Sequence, residues 1–109
     1  MEEVNMAKSL GIFVTSPDSL QHAIGITKAA KAKGSKVKVF FTWKATTLSK
    51  DPAFEGLCEI ADDVSICVDS YQKQGFAVDD VPAGLTAKKM ATQAQHGIII
   101  EDYDCYLSL

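Results

Sequence analysis

The sequence lacks the features that mark several large classes of protein. It has no uninterrupted apolar run near the roughly 18–20 residues that a membrane-spanning helix requires. It contains neither the GxGxxG nor the GxxxxGK[ST] pattern, so a dinucleotide or P-loop phosphate site is not indicated. The acidic start, MEEVNMAKS, has no apolar core and predicts no export signal. These absences favour a globular domain that does not enter a membrane.

Basic residues are also fewer than acidic residues. The chain has 11 basic and 14 acidic side chains among 109 residues, which gives a formal charge of −3. A mildly acidic chain has no electrostatic attraction to nucleic-acid phosphates or to anionic lipid. Its clustered lysines are predicted to form a solvated face, and they are Lys28, Lys31, Lys33, Lys36 and Lys38. We therefore expect neither a nucleic-acid nor a membrane partner.

Cysteine is scarce and irregularly spaced. The three cysteines, Cys58, Cys67 and Cys105, form no CxxC pair, and an odd number at wide spacing is no disulfide framework. The two histidines, His22 and His96, lie far apart and have no ligand-spaced neighbour. We predict free thiols in a reducing, cytoplasmic compartment, with no metal and no organic cofactor.

What the sequence does contain is an alternation of strand and helix patterns. Apolar runs predict buried strands at Ser9–Ser16, Lys36–Trp43 and Val64–Asp69. Between them, helical spacing predicts one helix that ends at Gly34 and another that begins at Asp51-Pro52. Two strands joined by a helix in this way favour a right-handed parallel crossover.

The remainder of the chain continues the pattern less clearly. Residues Tyr71–Leu85 are predicted to be rich in loops. A last helix is predicted from Thr86 to Gln95 with Gly97 as its stop, and Ile98–Ile100 is predicted to be a short buried strand. Residues Cys105–Leu109 can add a terminal strand. The whole chain, 1–109, is thus predicted to be one α/β domain, a mainly parallel sheet with helices on both faces.

In such a sheet, function is expected at the carboxyl ends of the strands. The strand-end segments are Ser16-Pro17-Asp18, Thr42-Trp43-Lys44, Cys67-Val68-Asp69 and Glu101-Asp102. The acidic group of Glu101, Asp102 and Asp104 suggests either a hard-metal site or a solvated turn. The turn is favoured, because the sequence identifies no distant partner ligand.

Cys67 is the best candidate for chemistry, since it ends a predicted central strand. If Ser70 opens a turn of helix, the N–H groups of that turn point toward the sulfur and lower the thiol pKa. The alternative is a buried cysteine that only fills the core. Cys58, on an apolar helix face, is interpreted as core, whereas Cys105 lies either on an exposed tail or on an edge strand.

Two stretches around these strand ends resemble a known family. VKVFFTWKATTL (Val37–Leu48) is similar to the second strand and following helix of the DsrE/DsrF/DsrH-like (TusD-like) sulfur-relay family. ICVDSYQKQGF (Ile66–Phe76) is similar to the family's third strand, which ends in a cysteine followed eight positions later by a glycine, here Cys67 and Gly75. The resemblance covers residues 10–82.

This resemblance implies a flavodoxin-like sheet, assembly into homotrimers or hexamers, and a role in handling sulfane sulfur. In the catalytic members the matching cysteine carries a persulfide and passes it to a partner protein. That role transfers to Cys67 alone, with Gly75 as a structural position. Asp69 is a departure, because a carboxylate close to the sulfur would raise the thiol pKa.

We therefore predict a cytoplasmic, sulfurtransferase-like sulfur carrier in which Cys67 exchanges sulfane sulfur with donor and acceptor proteins. Position at strand ends adds Thr42, Trp43 and Ser70 as pocket residues. One alternative is a non-catalytic oligomeric DsrE-like binding module in which Cys67 is a packing residue. A further alternative is a redox-sensing thiol, although no resolving cysteine lies nearby in the sequence.

Overall fold

A central parallel sheet of five strands organises the part of the chain that the structure describes. The computed structural model describes residues 8–109, with the backbone alone described for His96 and Ile100. Residues 1–7, on which most of the prediction about an export signal rests, lie outside this range. Within residues 8–109, no helix is long and apolar enough to cross a bilayer.

The strand order of the sheet is β4-β3-β2-β1-β5, and every neighbouring pair is parallel. The strands are β1 Ser9–Val14, β2 Lys36–Phe41, β3 Asp63–Cys67, β4 Met90–Ala91 and β5 Cys105–Ser108. This arrangement confirms the predicted α/β class and agrees with the flavodoxin-like architecture that the resemblance implied. The proposed terminal strand is present as β5.

Four α-helices connect the strands: α1 Leu20–Ala32, α2 Pro52–Ile60, α3 Val68–Lys73 and α4 Ala94–Asp102. Two 3₁₀ helices, Trp43–Lys50 and Ala87–Lys89, accompany them. The predicted punctuation holds for the first two α-helices. Gly34 adopts φ +86° after the end of α1, as a glycine beyond a helix C-terminus commonly does. The Asp51 carboxylate accepts the Ala53 N–H at 2.9 Å at the start of α2, with Pro52 in the first turn.

The strand residues alternate between two buried faces of the sheet. One face packs against α1 and α2, and its fully buried residues include Ile12, Val39 and Ile66. The other face carries Phe13, Phe40 and Cys67, which pack with Ile99 of α4. Because α4 lies on the face opposite α1 and α2, the prediction of helices on both faces is confirmed.

A close approach between α4 and β1 fixes the position of α4 on the second face. A Cβ atom added at Gly11 would lie 2.2 Å from Cγ2 of Ile99. Only a residue without a side chain therefore allows this contact. The same face also holds a polar network, in which Asp63 accepts from buried Lys38 and, at 2.6 Å, from Lys89.

The prediction for the region after residue 85 is wrong in its elements. Where a helix from Thr86 to Gln95 is expected, the chain forms the short 3₁₀ helix and then β4, which pairs with the end of β3. The helix begins only at Ala94, after Thr92 Oγ1 accepts the Ala94 N–H at 3.3 Å. The wrong prediction follows from placing the N-cap at Thr86, whereas the N-cap residue of α4 is Gln93.

The predicted strand Ile98–Ile100 is likewise wrong, because these residues lie within α4. Gly97 does not stop the helix, and a Cβ atom added there would meet none of the described atoms outside its own helix turn and chain neighbours within 4 Å. Consecutive β-branched residues disfavour a helix only weakly, and the burial of Ile99 against Gly11 outweighs that preference.

Candidate functional site

The register of the sheet brings two of the predicted site residues side by side. Phe41 of β2 pairs with Ile66 of β3, so the residues that follow, Thr42 and Cys67, lie next to each other at the carboxyl ends of these strands. Both residues are buried, and Cys67 is 2% exposed. The strand-end rule therefore identified a real juxtaposition.

Helix α3 starts immediately after Cys67 and supplies the third predicted residue, Ser70. The Ser70 Oγ lies 3.2 Å from Oγ1 of Thr42. The helix is anchored by Tyr71, which is fully buried, and whose hydroxyl donates to the carbonyl oxygen of Asp80. Ser70 thus sits on the first turn of a helix whose next residue is locked in the core.

Gly75 explains the cysteine-to-glycine spacing that carried part of the resemblance. It adopts φ +99° just beyond α3, a conformation that residues with a side chain rarely adopt. The Gly75 N–H donates to Gln72 O at 3.0 Å, and the Phe76 N–H donates to Tyr71 O at 3.3 Å. These two bonds, with the rings of Tyr71 and Phe76 stacked at 4.8 Å, form a Schellman closure of the helix.

Lys50 stabilises the C-terminal end of α3 through contacts with Tyr71, Phe76 and Asp80. Its ammonium lies 5.4 Å from the Tyr71 ring centroid and 5.1 Å from that of Phe76. It also forms an ion pair of 2.7 Å with Asp80. Helix α3, and with it the position of Ser70 beside Cys67, is therefore held from both sides.

A fourth polar group at the thiol comes from a residue that the sequence reasoning missed. The Gln93 Nε2 donates to Thr42 Oγ1 at 2.5 Å. Ala91 of β4 pairs with Cys67, which brings Gln93, two residues beyond, to the same strand ends. Gln93 follows a strand and would have been nominated by the same rule, had β4 not been predicted as part of a helix.

The polar groups around Cys67 outweigh its burial. Burial alone raises a thiol pKa, and it is the largest single influence on Cys67. The Ser70 hydroxyl and N–H, the Thr42 hydroxyl and the Gln93 amide act in the opposite direction, and together they bring the Cys67 pKa below its ordinary value. A neutral thiol is a weak acceptor, and these side chains also bond to one another through Thr42. A thiolate is a stronger acceptor than a neutral thiol, so the donors stabilise the ionised form of Cys67 and lower its pKa.

Asp69, whose carboxylate was expected to raise the Cys67 pKa, is directed away from the thiol. Asp69 is exposed and forms an i,i+4 ion pair with Lys73 at 3.1 Å, on the outer side of α3. Burial and the donors of Ser70, Thr42 and Gln93 are the influences that act on the Cys67 pKa. The expected opposition from Asp69 is thus not part of the site.

Trp43 lies at the rim of the site. β2 ends at Phe41, so Trp43 is not in the strand as predicted but begins the 3₁₀ helix, with φ +56°. This conformation is costly for a bulky residue, and the Thr46 hydroxyl bonded to Trp43 O at 3.0 Å helps to hold it. The Trp43 side chain is 59% exposed. Trp43 is therefore a largely exposed residue that follows Thr42 in the chain, and its role as a pocket residue stays a prediction.

The other two cysteines lie in different surroundings. Cys58 lies on α2, where burial and then the carboxylate of Glu55 raise its pKa to about 11. A thiol held protonated in this way fits the prediction that Cys58 is a packing residue. Cys105 is both exposed and part of edge strand β5, so its two sequence interpretations are both partly right.

The remaining strand-end segments lie apart from the thiol. Ser16 Oγ accepts the Asp18 N–H at 3.2 Å in the turn before α1. Glu101 and Asp102 belong to the last turn of α4 and do not follow a strand, so their nomination is wrong. Among the described residues, no group of three histidine, cysteine or acidic side chains is placed to hold a metal ion.

Comparisons with known proteins find no matching family model, no matching curated protein and no matching solved structure.

Proposed function

We propose that this protein is a sulfur carrier in which Cys67 holds sulfane sulfur as a persulfide and passes it to a partner protein. The observation that carries the proposal is the convergence of Ser70, Thr42 and Gln93 on one thiol. These donors favour the thiolate, which is the form that attacks sulfur. The sequence resemblance to sulfur-relay proteins supports the same function independently of this geometry.

Loading is a transfer between sulfur atoms with no net oxidation. The Cys67 thiolate attacks the terminal sulfur of a donor persulfide, R–S–SH. A new S–S bond forms on Cys67, and the bond within the donor breaks, so that R–S⁻ leaves with the electron pair. In delivery, an acceptor thiolate attacks the terminal sulfur on Cys67, and the Cys67 thiolate is the leaving group. Stabilisation of that thiolate therefore assists both halves of the cycle.

The proposal includes the setting in which this chemistry would operate. Its partners are a sulfur-donor protein and a sulfur-acceptor protein, and its compartment is the reducing cytoplasm, where Cys67 stays a free thiol. Assembly into a trimer or hexamer, which the resemblance implies, belongs to the same proposal. Small-angle scattering of the native protein measures that assembly directly.

A non-catalytic binding module is the second candidate, and one observation favours it. The Cys67 side chain is nearly inaccessible, at 2% exposure. A cysteine that never leaves this environment would be a packing residue, and the fold would act only through its surfaces. The two candidates differ in whether Cys67 reacts in the native protein.

The test is mass spectrometry of the native protein after incubation with a low-molecular-weight persulfide, such as glutathione persulfide. We expect a gain of one sulfur atom on the peptide that contains Cys67. Cys67→Ser should lose the gain, whereas Cys58→Ser and Cys105→Ser should retain it. Sulfur found on Cys105 with Cys67 unmodified would contradict the proposal, and a native Cys67 inert to both persulfide and alkylating agent would favour the binding module.

A further inference from the structure

Access to Cys67 is the step that the proposed function leaves unexplained. Transfer requires a second sulfur atom to reach Sγ along the axis of the bond that forms, yet Cys67 is 2% exposed. Some part of the surrounding structure must therefore move before a donor or an acceptor enters. The element around the thiol that has the fewest buried contacts is expected to move first.

Two of these elements are held by the core. α3 is fixed by the buried Tyr71 and by its Schellman closure. Thr42 is 4% exposed, and its N–H donates to Val14 O at 3.0 Å across the sheet. Moving Ser70 or Thr42 away from the sulfur would therefore disturb buried contacts, which makes either motion costly.

The third element is the segment Thr92–Ala94, which we call the cover. Its residues are exposed, and it follows β4, a strand of only two residues at the edge of the sheet. Beyond it, α4 is held by Ile99 at Gly11, more than one helical turn away. Of the residues whose side chains lower the thiol pKa, Gln93 is exposed, whereas Thr42 is buried and Ser70 is half-buried. Segments with few buried contacts open at the lowest free energy.

The Gln93 side chain is what ties the cover to the site. It plays no part in starting α4, since Thr92 accepts the Ala94 N–H through its hydroxyl at 3.3 Å and the Gln95 N–H through its carbonyl at 3.1 Å. Instead, Gln93 reaches inward to the Thr42 hydroxyl and the thiol. These two contacts are the ones that connect the exposed segment to the thiol.

We propose that Thr92–Ala94 is a removable cover over Cys67 and that Gln93 is the positioning residue that keeps it closed. The inference rests on the proposed function, for which it supplies the entry route. A sulfur donor or acceptor then approaches from the edge of the sheet formed by β4. While the cover is closed, the thiol is shielded from adventitious oxidants and thiols.

The test compares alkylation of Cys67 by iodoacetamide in the unaltered protein and in Gln93→Ala, over a range of pH, with each cysteine followed by mass spectrometry. At high pH all Cys67 is thiolate, so the limiting rate reports access together with the intrinsic nucleophilicity of the thiolate, which rises with its pKa. Ser70→Ala removes a donor without altering the cover, so its limiting rate measures the second contribution and is the reference for Gln93→Ala. The midpoint of the profile reports how strongly the donors stabilise the thiolate. We expect a limiting rate about three- to tenfold higher, because one or two hydrogen bonds hold the cover, together with a midpoint at higher pH.

The matched control is Gln95→Ala. Gln95 lies two residues after Gln93, in the first turn of α4, and lines a cleft beside Lys38 and Asp63 instead of the thiol. It should change neither the limiting rate nor the midpoint. A limiting rate in Gln93→Ala equal to that of the unaltered protein would overturn the cover, even if the midpoint moved, because Gln93 would then be a donor only.

Hydrogen exchange in the unaltered protein gives a second test that depends on no variant. Amides of residues 92–94 should exchange well ahead of those in β3, and equal protection in the two segments would overturn the proposal. Alkylation and hydrogen exchange require no sulfur transfer. If the protein cannot be loaded with sulfur, but Gln93→Ala is alkylated faster and the amides of residues 92–94 exchange early, the carrier function is refuted and the cover is supported.

Discussion

Cys58 and Cys67 are both withdrawn from solvent, yet their surroundings act on them in opposite senses. Cys58 lies in the last turn of α2, three residues after Glu55 and directly before Glu59, and its pKa is raised to about 11 by burial and then by these carboxylates. Cys67 ends a strand, and there the groups of Ser70, Thr42 and Gln93 lower its pKa in spite of burial.

The comparison shows that burial does not decide whether a thiol is suited to chemistry. Burial raises the pKa of both thiols, and it is the largest influence on each. The difference lies in the polar groups nearby. Within a helix the backbone N–H groups are already bonded to carbonyls, whereas at a strand end the groups of three separate elements remain free to turn toward the sulfur.

The largest expected effect is the separation of the two thiols in a pH profile of alkylation in the native protein. Because the thiolate is the reactive form, each rate rises as the pH increases through the pKa. The profile of Cys67 should rise at lower pH than that of an ordinary thiol, and that of Cys58 only toward about pH 11. Since each pKa unit is a tenfold change, Cys58 at neutral pH should carry on the order of a hundredfold less thiolate than an unperturbed thiol.

Mass spectrometry of the separate cysteine peptides makes this measurement. The control is the same profile in denaturant, where the two midpoints should converge because both environments are lost. A common midpoint for Cys58 and Cys67 in the native protein would contradict the comparison.

The next effect in size is that of Ser70→Ala, which removes one donor from Cys67 and leaves Cys58 untouched. A hydrogen bond to a charged group is worth roughly 1.5–3 kcal/mol, and about 1.4 kcal/mol is a factor of ten. The Ser70 N–H and the Thr42 hydroxyl remain, so we expect a loss near the lower end, about tenfold in the neutral-pH rate of Cys67 alkylation. The midpoint should move to higher pH.

Ser65→Ala is the matched control for this variant. Ser65 is buried on β3, two residues before Cys67, and its hydroxyl has no hydrogen-bond partner among the described residues. Its removal costs no bond and should leave the Cys67 profile unchanged. Equal effects of the two variants would mean that the profile responds to repacking of β3 and not to the Ser70 hydroxyl.

How far the sequence predicts this molecule depends on the length of each local pattern. β1, β2 and β3, and the helices α1 and α2, follow from runs of five or more residues with clear caps such as Asp51 and Gly34. β4 has two residues and no periodicity to detect. Helix α4 contains Ile98–Ile100, whose local preference is for a strand, and the packing of Ile99 against Gly11, Phe13 and Phe40 decides the outcome.

The residues of the candidate site likewise were predicted where they follow long strands and were missed where they follow a short one. Cys67, Thr42 and Ser70 were predicted because they follow long strands whose parallel pairing places their ends together. Gln93 was missed because its position depends on β4. The near-complete burial of Cys67 was also beyond prediction, since it involves Phe13, Phe40 and Ile99, which lie on three elements distant in sequence.

The smallest effect concerns the other side of the comparison, the carboxylates near Cys58. Burial is the first cause of the raised Cys58 pKa and Glu55 the second, so Glu55→Gln should lower that pKa from about 11 without bringing it to an ordinary value. Glu55 is exposed, and exposed charges interact weakly, so the gain in Cys58 alkylation at neutral pH should be about two- to fivefold. Added salt should produce part of the same gain in the unaltered protein by screening the carboxylate. Cys67 should respond to neither change.

Glu59→Gln should raise the alkylation rate of Cys58 less than Glu55→Gln does, since Glu59 is the weakest of the influences on the Cys58 pKa. If neither variant nor salt changes the rate of Cys58, burial alone holds it protonated, and the contrast with Cys67 then rests entirely on the donors at the strand end.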